Sequence, residues 1–193
     1  MGRASRDPVV AGGVIRLGSP LVNWYLVEAD DGLTVVDAGL PRYWPQLGAA
    51  LAAIDRELGD VEALVLTHGH VDHIGLAERL RAEAGARVLV HRADETLVRT
   101  GEQPPRERGV LRYLWRPAAI RLFMHLSHAG GATIARPTEV EAFEDGDVLD
   151  VPGRPRAILT PGHSEGHCCL LFADHGVLFT GDALCTLNTL TGR

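Results

Sequence analysis

The chain has 193 residues and no lysine; all 19 basic side chains are arginines. Schiff-base chemistry and lysine nucleophiles are therefore excluded. Cysteine is scarce as well, with Cys168, Cys169 and Cys185 the only three. An odd number with two adjacent does not make a disulfide framework, so they read as small buried strand residues of a reducing compartment. No apolar run approaches the ~20 residues that span a bilayer, and the opening MGRASRDPVVAGG lacks the apolar stretch of a signal peptide. Nor is there an excess of positive charge. The net charge of −6 argues against a nucleic-acid partner, because neutralising phosphates needs a basic surface. No internal repeat and no G-x-S-x-G elbow occurs. What remains is a single cytoplasmic domain, residues 1–193, with no nucleic-acid or membrane partner expected. Its 46% hydrophobic and 23% charged residues are ordinary for a globular chain. The oligomeric state is unknown from the sequence.

Short β-rich runs stand at residues 14–17, 22–28 and 33–37, separated by turn residues. Leu47, Leu51, Ile54 and Leu58 then recur at helical spacing, with Gly59 placed to stop that helix. A short apolar strand at 63–66 follows. Ile74, Ala77, Leu80 and Ala84 line one face of a second helix ending at Gly85, and 87–90 returns as a strand. Residues 137–182 are again strand-rich, with turns at E-D-G-D (144–147) and D-H-G (174–176). Strands at both ends with strand–helix units between them predict an α/β protein with a layered sheet core.

The segment 100–135 differs. Val110, Leu111, Leu114 and Trp115 suggest one helix, and Ile120, Leu122, Phe123 and Met124 another after Pro117. It reads as a helical insertion that either overhangs a site or packs as a flank. Arg108, Arg112 and Arg116 recur every four residues there, as a solvated face or as a stripe that attracts an anion.

Residues 67–73 read T-H-G-H-V-D-H. Imidazole and carboxylate are good ligands for zinc and other first-row metals, and a bound cation relieves the cost of crowding them. In an extended segment alternate side chains share a face, so His68, His70 and Asp72 can point one way. His73 reaches the same side through a backbone turn, and Gly69 leaves room beside the ligands. Two later stretches offer further donors. T-P-G-H-S-E-G-H (160–167) follows a strand at 156–159 and carries His163. L-F-T-G-D-A-L (178–184) ends another strand and carries Asp182.

T-H-G-H-V-D-H, P-G-H-S-E-G-H and T-G-D-A, with V-V-D-A-G (35–39) before them, together resemble the metallo-β-lactamase-fold hydrolase superfamily. The resemblance implies an αββα sandwich: two mixed β-sheets face to face, flanked by helices, with metals at one edge. By position, His68, His70 and His163 would hold a first metal, Asp72 and His73 a second, and Asp182 would bridge them. Asp37 matches a position that orients the loops around the metals, although a strand-ending turn residue would look the same. His167 matches a histidine beside the ligands that is not itself one. The family usually supplies one more histidine after the bridging aspartate. None follows His175 here, so the last strand and helix of the sandwich are expected to be absent, by truncation or by nature.

The resemblance implies hydrolysis by a metal-bound hydroxide that Asp72 orients, cleaving an ester, thioester or lactone/lactam bond of a small-molecule substrate. The cofactor would be zinc, two ions in the complete protein, with iron or manganese as other candidates. Two alternatives stand beside this. One is a single-iron oxygenase like the persulfide dioxygenases, using His68, His163 and Asp182. The other is a shortened, non-catalytic metal-binding module.

Overall fold

The structure is a computed structural model that describes residues 9–102, 115–186 and 191. The helix expected around Val110, Leu111 and Leu114, with Arg108 and Arg112 of the arginine stripe, lies outside the described residues. So does most of the closing stretch 186–193.

Seven strands form one sheet in chain order: β1 (Val9–Ala11), β2 (Val14–Gly18), β3 (Asn23–Ala29), β4 (Gly32–Val36), β5 (Val61–Val65), β6 (Arg87–His91) and β7 (Glu141–Phe143). The first four make an antiparallel meander, whereas β4 to β7 run parallel. Parallel neighbours need long crossovers. Helix α1 (Trp44–Ala53) joins β4 to β5. Helix α2 (Ala77–Arg79), which continues as a wider π turn (Leu80–Ala84), joins β5 to β6. A smaller antiparallel sheet holds β8 (Arg156–Leu159), β9 (Cys168–Phe172) and β10 (Val177–Phe179), in the order β10-β9-β8.

Side-chain alternation along the central strands divides the core in two. Trp24 and Leu26 of β3, Leu33 and Val35 of β4, and Leu64 of β5 point to one face. There they meet Leu47 and Leu51 of α1 and Leu80 of the π turn. Val27, Val36, Ala63 and Val65 point the other way and meet Leu170 and Phe172 of the smaller sheet. The two sheets therefore stack with helices on the outer face of the larger one. Each fully buried Leu or Val contributes about 1.5–3 kcal/mol relative to an exposed one. Thr34 is the polar exception on the inner face, and its hydroxyl is satisfied by donating to the Pro152 carbonyl (2.8 Å).

Two helical expectations need correction. Helix α1 stops at Ala53 rather than running to Leu58. The amides of Ile54 and Arg56 both close on the Leu51 carbonyl (3.1 and 3.0 Å), and Asp55 turns the chain with φ of 54°. Leu58 instead opens a 3-10 turn (Leu58–Asp60). The second helix does end at Gly85 (φ 73°), yet Ile74 and Leu76 stay outside it. Their neighbourhood is held elsewhere: Gly75 N donates to Gly39 O (2.9 Å) and Leu76 N to Ala38 O (3.1 Å). A short helix α3 (Glu95–Thr100) has no counterpart in the sequence pattern. Helix α4 (Pro117–His128) starts with Pro in its first turn, where the missing N–H costs nothing. Its Ile120 and Met124 are exposed while Leu126 packs on the core. No helix among the described residues is long and apolar enough to cross a membrane.

Candidate metal centre

Four chain segments leave strand ends and meet at one edge of the stacked sheets. Asp37 follows β4, residues 66–73 follow β5, residues 160–167 link β8 to β9, and residues 180–182 follow β10. Backbone bonds lace them together. Ala38 N donates to His73 O (2.7 Å), Cys168 N to Thr67 O (2.8 Å) and Thr160 N to His167 O (2.8 Å). His73 N closes a turn on His70 O (3.0 Å), which brings His73 back toward His68 as expected.

Two overlapping donor sets result. Ring nitrogens of His68, His70 and His163 lie within 4.8 Å of one another, and so do donor atoms of His68, His73 and Asp182. Asp182 presents one oxygen to each set: Oδ2 is 3.2 Å from His163 Nε2, and Oδ1 is 3.5 Å from His73 Nε2. Asp72 stands beside the second set, its Oδ2 3.9 Å from His73 Nε2. Burial grades across the site. His68 is fully buried at the base, whereas Asp72, His163 and Asp182 keep 28%, 36% and 33% of their side-chain surface in solvent at the mouth. Ions could enter from that side.

The hydrogen bonds around the rings fix which nitrogens are free to ligate. Asp37, buried with φ of 57°, accepts from Thr67 N (2.9 Å), from Thr67 Oγ1 and from His73 Nδ1 (2.9 Å). An ionised carboxylate only accepts, so His73 carries its proton on Nδ1 and turns Nε2 toward Asp72 and Asp182. Thr67 gives its one hydroxyl proton to Asp37. It must then accept from His68 Nδ1 (3.1 Å), which leaves a bare lone pair on His68 Nε2. That nitrogen is buried without a hydrogen-bond partner among the described residues. An orphaned buried acceptor facing other imidazoles is what a cation would satisfy, so the donor set fits a metal. Asp37 thus braces the 66–73 segment at both ends, at Thr67 and His73, rather than merely ending a strand. Thr67 carries no signal in the sequence, where it reads as one more polar residue of a turn.

His167 behaves differently. Asp182 N donates to its Nε2 (3.0 Å), so its Nδ1 is the protonated nitrogen and donates to Thr160 Oγ1 (2.8 Å). Neither nitrogen is left for an ion, and the ring holds the Asp182 loop against β8. Thr160, like Thr67, goes unmarked in the sequence. The room beside Gly69 is taken by Leu97 and Val98 of α3 rather than by ligands: a Cβ there would lie 2.8 Å from Leu97 Cγ.

Electrostatics follow from this placement. Burial, aided by four neighbouring imidazoles, pushes His68 well below the ordinary histidine range. Burial would lower His73 too, but Asp37, Asp72 and Asp182 outweigh it and raise His73 to about 10. In the metal-free chain a proton on His73 thus does the charge neutralisation that a cation would do. Burial and His163 lower His167.

A cleft of about 390 Å³ opens from Asp72, His73 and Asp182. Its walls mix apolar side chains, Leu21, Leu122 from α4, Leu178 and Phe179, with polar ones, Asn23, Tyr25, Thr67 and Thr180. Three of the four remaining histidines make bonds elsewhere. His91 Nδ1 accepts from Ala93 N, His175 Nε2 bonds Glu28 O, and His125 Nε2 lies 2.6 Å from Tyr43 Oη, pinning α4.

A family model described as the metallo-beta-lactamase superfamily matches residues 18–192. The chain belongs to the metallo-beta-lactamase superfamily. Among relatives of this superfamily, the probable metallo-hydrolase YflN of Bacillus subtilis (strain 168) is 30% identical over 193 aligned residues, covering 92% of this chain and 66% of its own. A hydroxyacylglutathione hydrolase of Cereibacter sphaeroides (strain ATCC 17029 / ATH 2.4.9) is 30% identical over 145 residues, 75% of this chain and 42% of its own. The crystal structure of a metallo-beta-lactamase family protein from Thermus thermophilus superposes with a TM-score of 0.68 at 28% identity, over 92% of this chain and 62% of its own. The chain thus spans 66% or less of each of these relatives. They support the sandwich of two sheets flanked by helices, and hydrolases are among the family's members.

Proposed function

We propose that the chain carries the metal centre of a hydrolase that cleaves an ester, thioester or lactone/lactam bond in a small-molecule substrate. The observation that carries this reading is the bare, buried Nε2 of His68, shared by two donor sets that converge on Asp182. His68, His70 and His163 would hold one zinc ion, His73 and Asp72 a second, with Asp182 reaching both. Bound zinc supplies a water of lowered pKa and a Lewis acid for the developing oxyanion.

The protein's own residues do the rest. Asp37 fixes the ring of His73 and, through Thr67, that of His68. Asp72 stands part-exposed in the cleft, placed to accept a proton from the attacking water. Leu21, Leu122 and Phe179 would offer one apolar wall of the cleft to the acyl part of the substrate. The hydroxyacylglutathione hydrolase of Cereibacter sphaeroides supports a thioester among the candidates. The second donor set of His68, His73 and Asp182, with Asp72 beside it, favours the two-ion reading over a single iron on His68, His163 and Asp182. The three unpaired thiols suit a cytoplasmic location.

The test is a panel of thioesters, aryl esters, lactones and β-lactams assayed with zinc restored after chelation. Turnover of at least one class that vanishes with chelator supports the reading. Oxygen uptake with one bound iron and no hydrolysis would establish the oxygenase instead.

A further inference from the structure

Asp94 is only 1% exposed and sits just ahead of α3, where a carboxylate ordinarily caps its own helix. It makes no such bond. Instead Oδ2 accepts from Gly69 N (2.9 Å) and from Ser164 Oγ (2.6 Å), while Oδ1 accepts from Gly166 N (2.7 Å). Gly69 lies between His68 and His70, and Ser164 follows His163. One buried carboxylate therefore takes three donors from two loops and none from its own helix. The seat is tight on both sides. A Cβ on Gly166 would lie 2.6 Å from Asp94 N, and one on Gly69 would lie 2.9 Å from Val98 Cγ2.

We propose that Asp94 is a positioning residue that keeps the loop bearing His68 and His70 in register with the loop bearing His163. The inference rests on the reading of these histidines as ligands. Neither loop is a strand or helix, so few main-chain bonds set their separation. Charge-assisted bonds to an anion are roughly twice as strong as neutral ones, and two of the three here go to backbone amides. The bracing therefore acts on the loops themselves and not on one rotamer. An asparagine cannot replace it. One of its two terminal atoms is a donor, which would face the amide of Gly69 or of Gly166.

The test compares Asp94→Asn and Ser164→Ala with the unaltered protein in two measurements. The first is amide hydrogen exchange at Gly69 and Gly166 in metal-free protein, with Leu64 and Leu89 in the sheet as internal references. The second is zinc affinity by competition with a chelator. Asp94→Asn should speed exchange at both glycines about tenfold or more relative to the references, and should weaken zinc binding about 10- to 100-fold. Ser164→Ala, which loses one donor of three, should weaken zinc binding about 3- to 10-fold. A merely structural carboxylate would lower the unfolding midpoint yet leave both measurements on the folded protein unchanged, and that result overturns the proposal. Should Asp94→Asn fail to fold, unchanged zinc affinity in Ser164→Ala overturns it equally. If the unaltered protein takes up no zinc, the metal reading falls, and the exchange rates alone decide the role of Asp94.

Discussion

Replacing Asp37 by asparagine tests how the centre sets its ring orientations. The carboxylate serves two clients: Thr67, through its amide and hydroxyl, and His73 Nδ1, at 2.9 to 3.0 Å. The amide of Thr67 can only donate, so the asparagine must turn its oxygen there. Its NH2 then faces His73 Nδ1, and a donor meets a donor. Either the bond is lost, leaving a buried donor unsatisfied at about 1–3 kcal/mol, or His73 moves its proton to Nε2 and is lost as a ligand. Both outcomes strike the second donor set and spare the nitrogens of His70 and His163. Zinc titration should show one ion bound nearly as before and the other weakened about 10- to 100-fold. A second signature needs no metal. His73, raised from 6.5 to about 10, stabilises the metal-free fold below pH 6.5, and that contribution is lost as pH rises from 6.5 to 10. In Asp37→Asn the unfolding midpoint should vary less across that window. Two zinc ions of unaltered affinity, with an unaltered pH dependence, would refute the reasoning.

Three shorter predictions accompany it. His68→Ala and His163→Ala should each remove the ion assigned to His68, His70 and His163 and weaken the ion on His73 and Asp72 less; unchanged zinc stoichiometry in either variant would contradict the assignment. Burial pushes the Cys168 thiol up to about 12, so at pH 8 iodoacetamide should modify exposed Cys185 in native protein and reach Cys168 only after denaturation, as read by peptide mass. Gly75→Ala would set a Cβ 2.4 Å from the Gly39 carbonyl oxygen and 2.5 Å from Leu40 Cα, backbone that cannot step aside. It should cost about 1–3 kcal/mol, and an unchanged thermal midpoint would show that the two loops are not in contact.

Most of this centre is legible in the sequence because its donors are grouped. His68, His70, Asp72 and His73 fall within six residues, and each remaining donor sits just past an apolar run that is in fact a strand. The sheet is legible for a similar reason, since period-2 burial is local and the expected strands β2 to β6 recur within a residue or two. What the sequence hides is held by partners distant in the chain. Asp94 carries no mark in the sequence, and only the fold shows that its bonds reach Gly69, Ser164 and Gly166. Leu58 keeps the helical spacing and so extends the expected α1 too far, while the left-handed turn at Asp55 leaves no mark in that pattern. His125 looks like a surface residue, and its pairing with Tyr43, 82 positions earlier, is again long-range.

The most direct test is elemental analysis of the purified protein after zinc loading and desalting, together with X-ray absorption at the zinc edge. Two zinc ions per chain with histidine-rich nitrogen and oxygen ligation are expected, and the His68→Ala variant should retain no more than one. Less than one ion per chain, or ligation without histidine, would contradict a metal centre at this sheet edge.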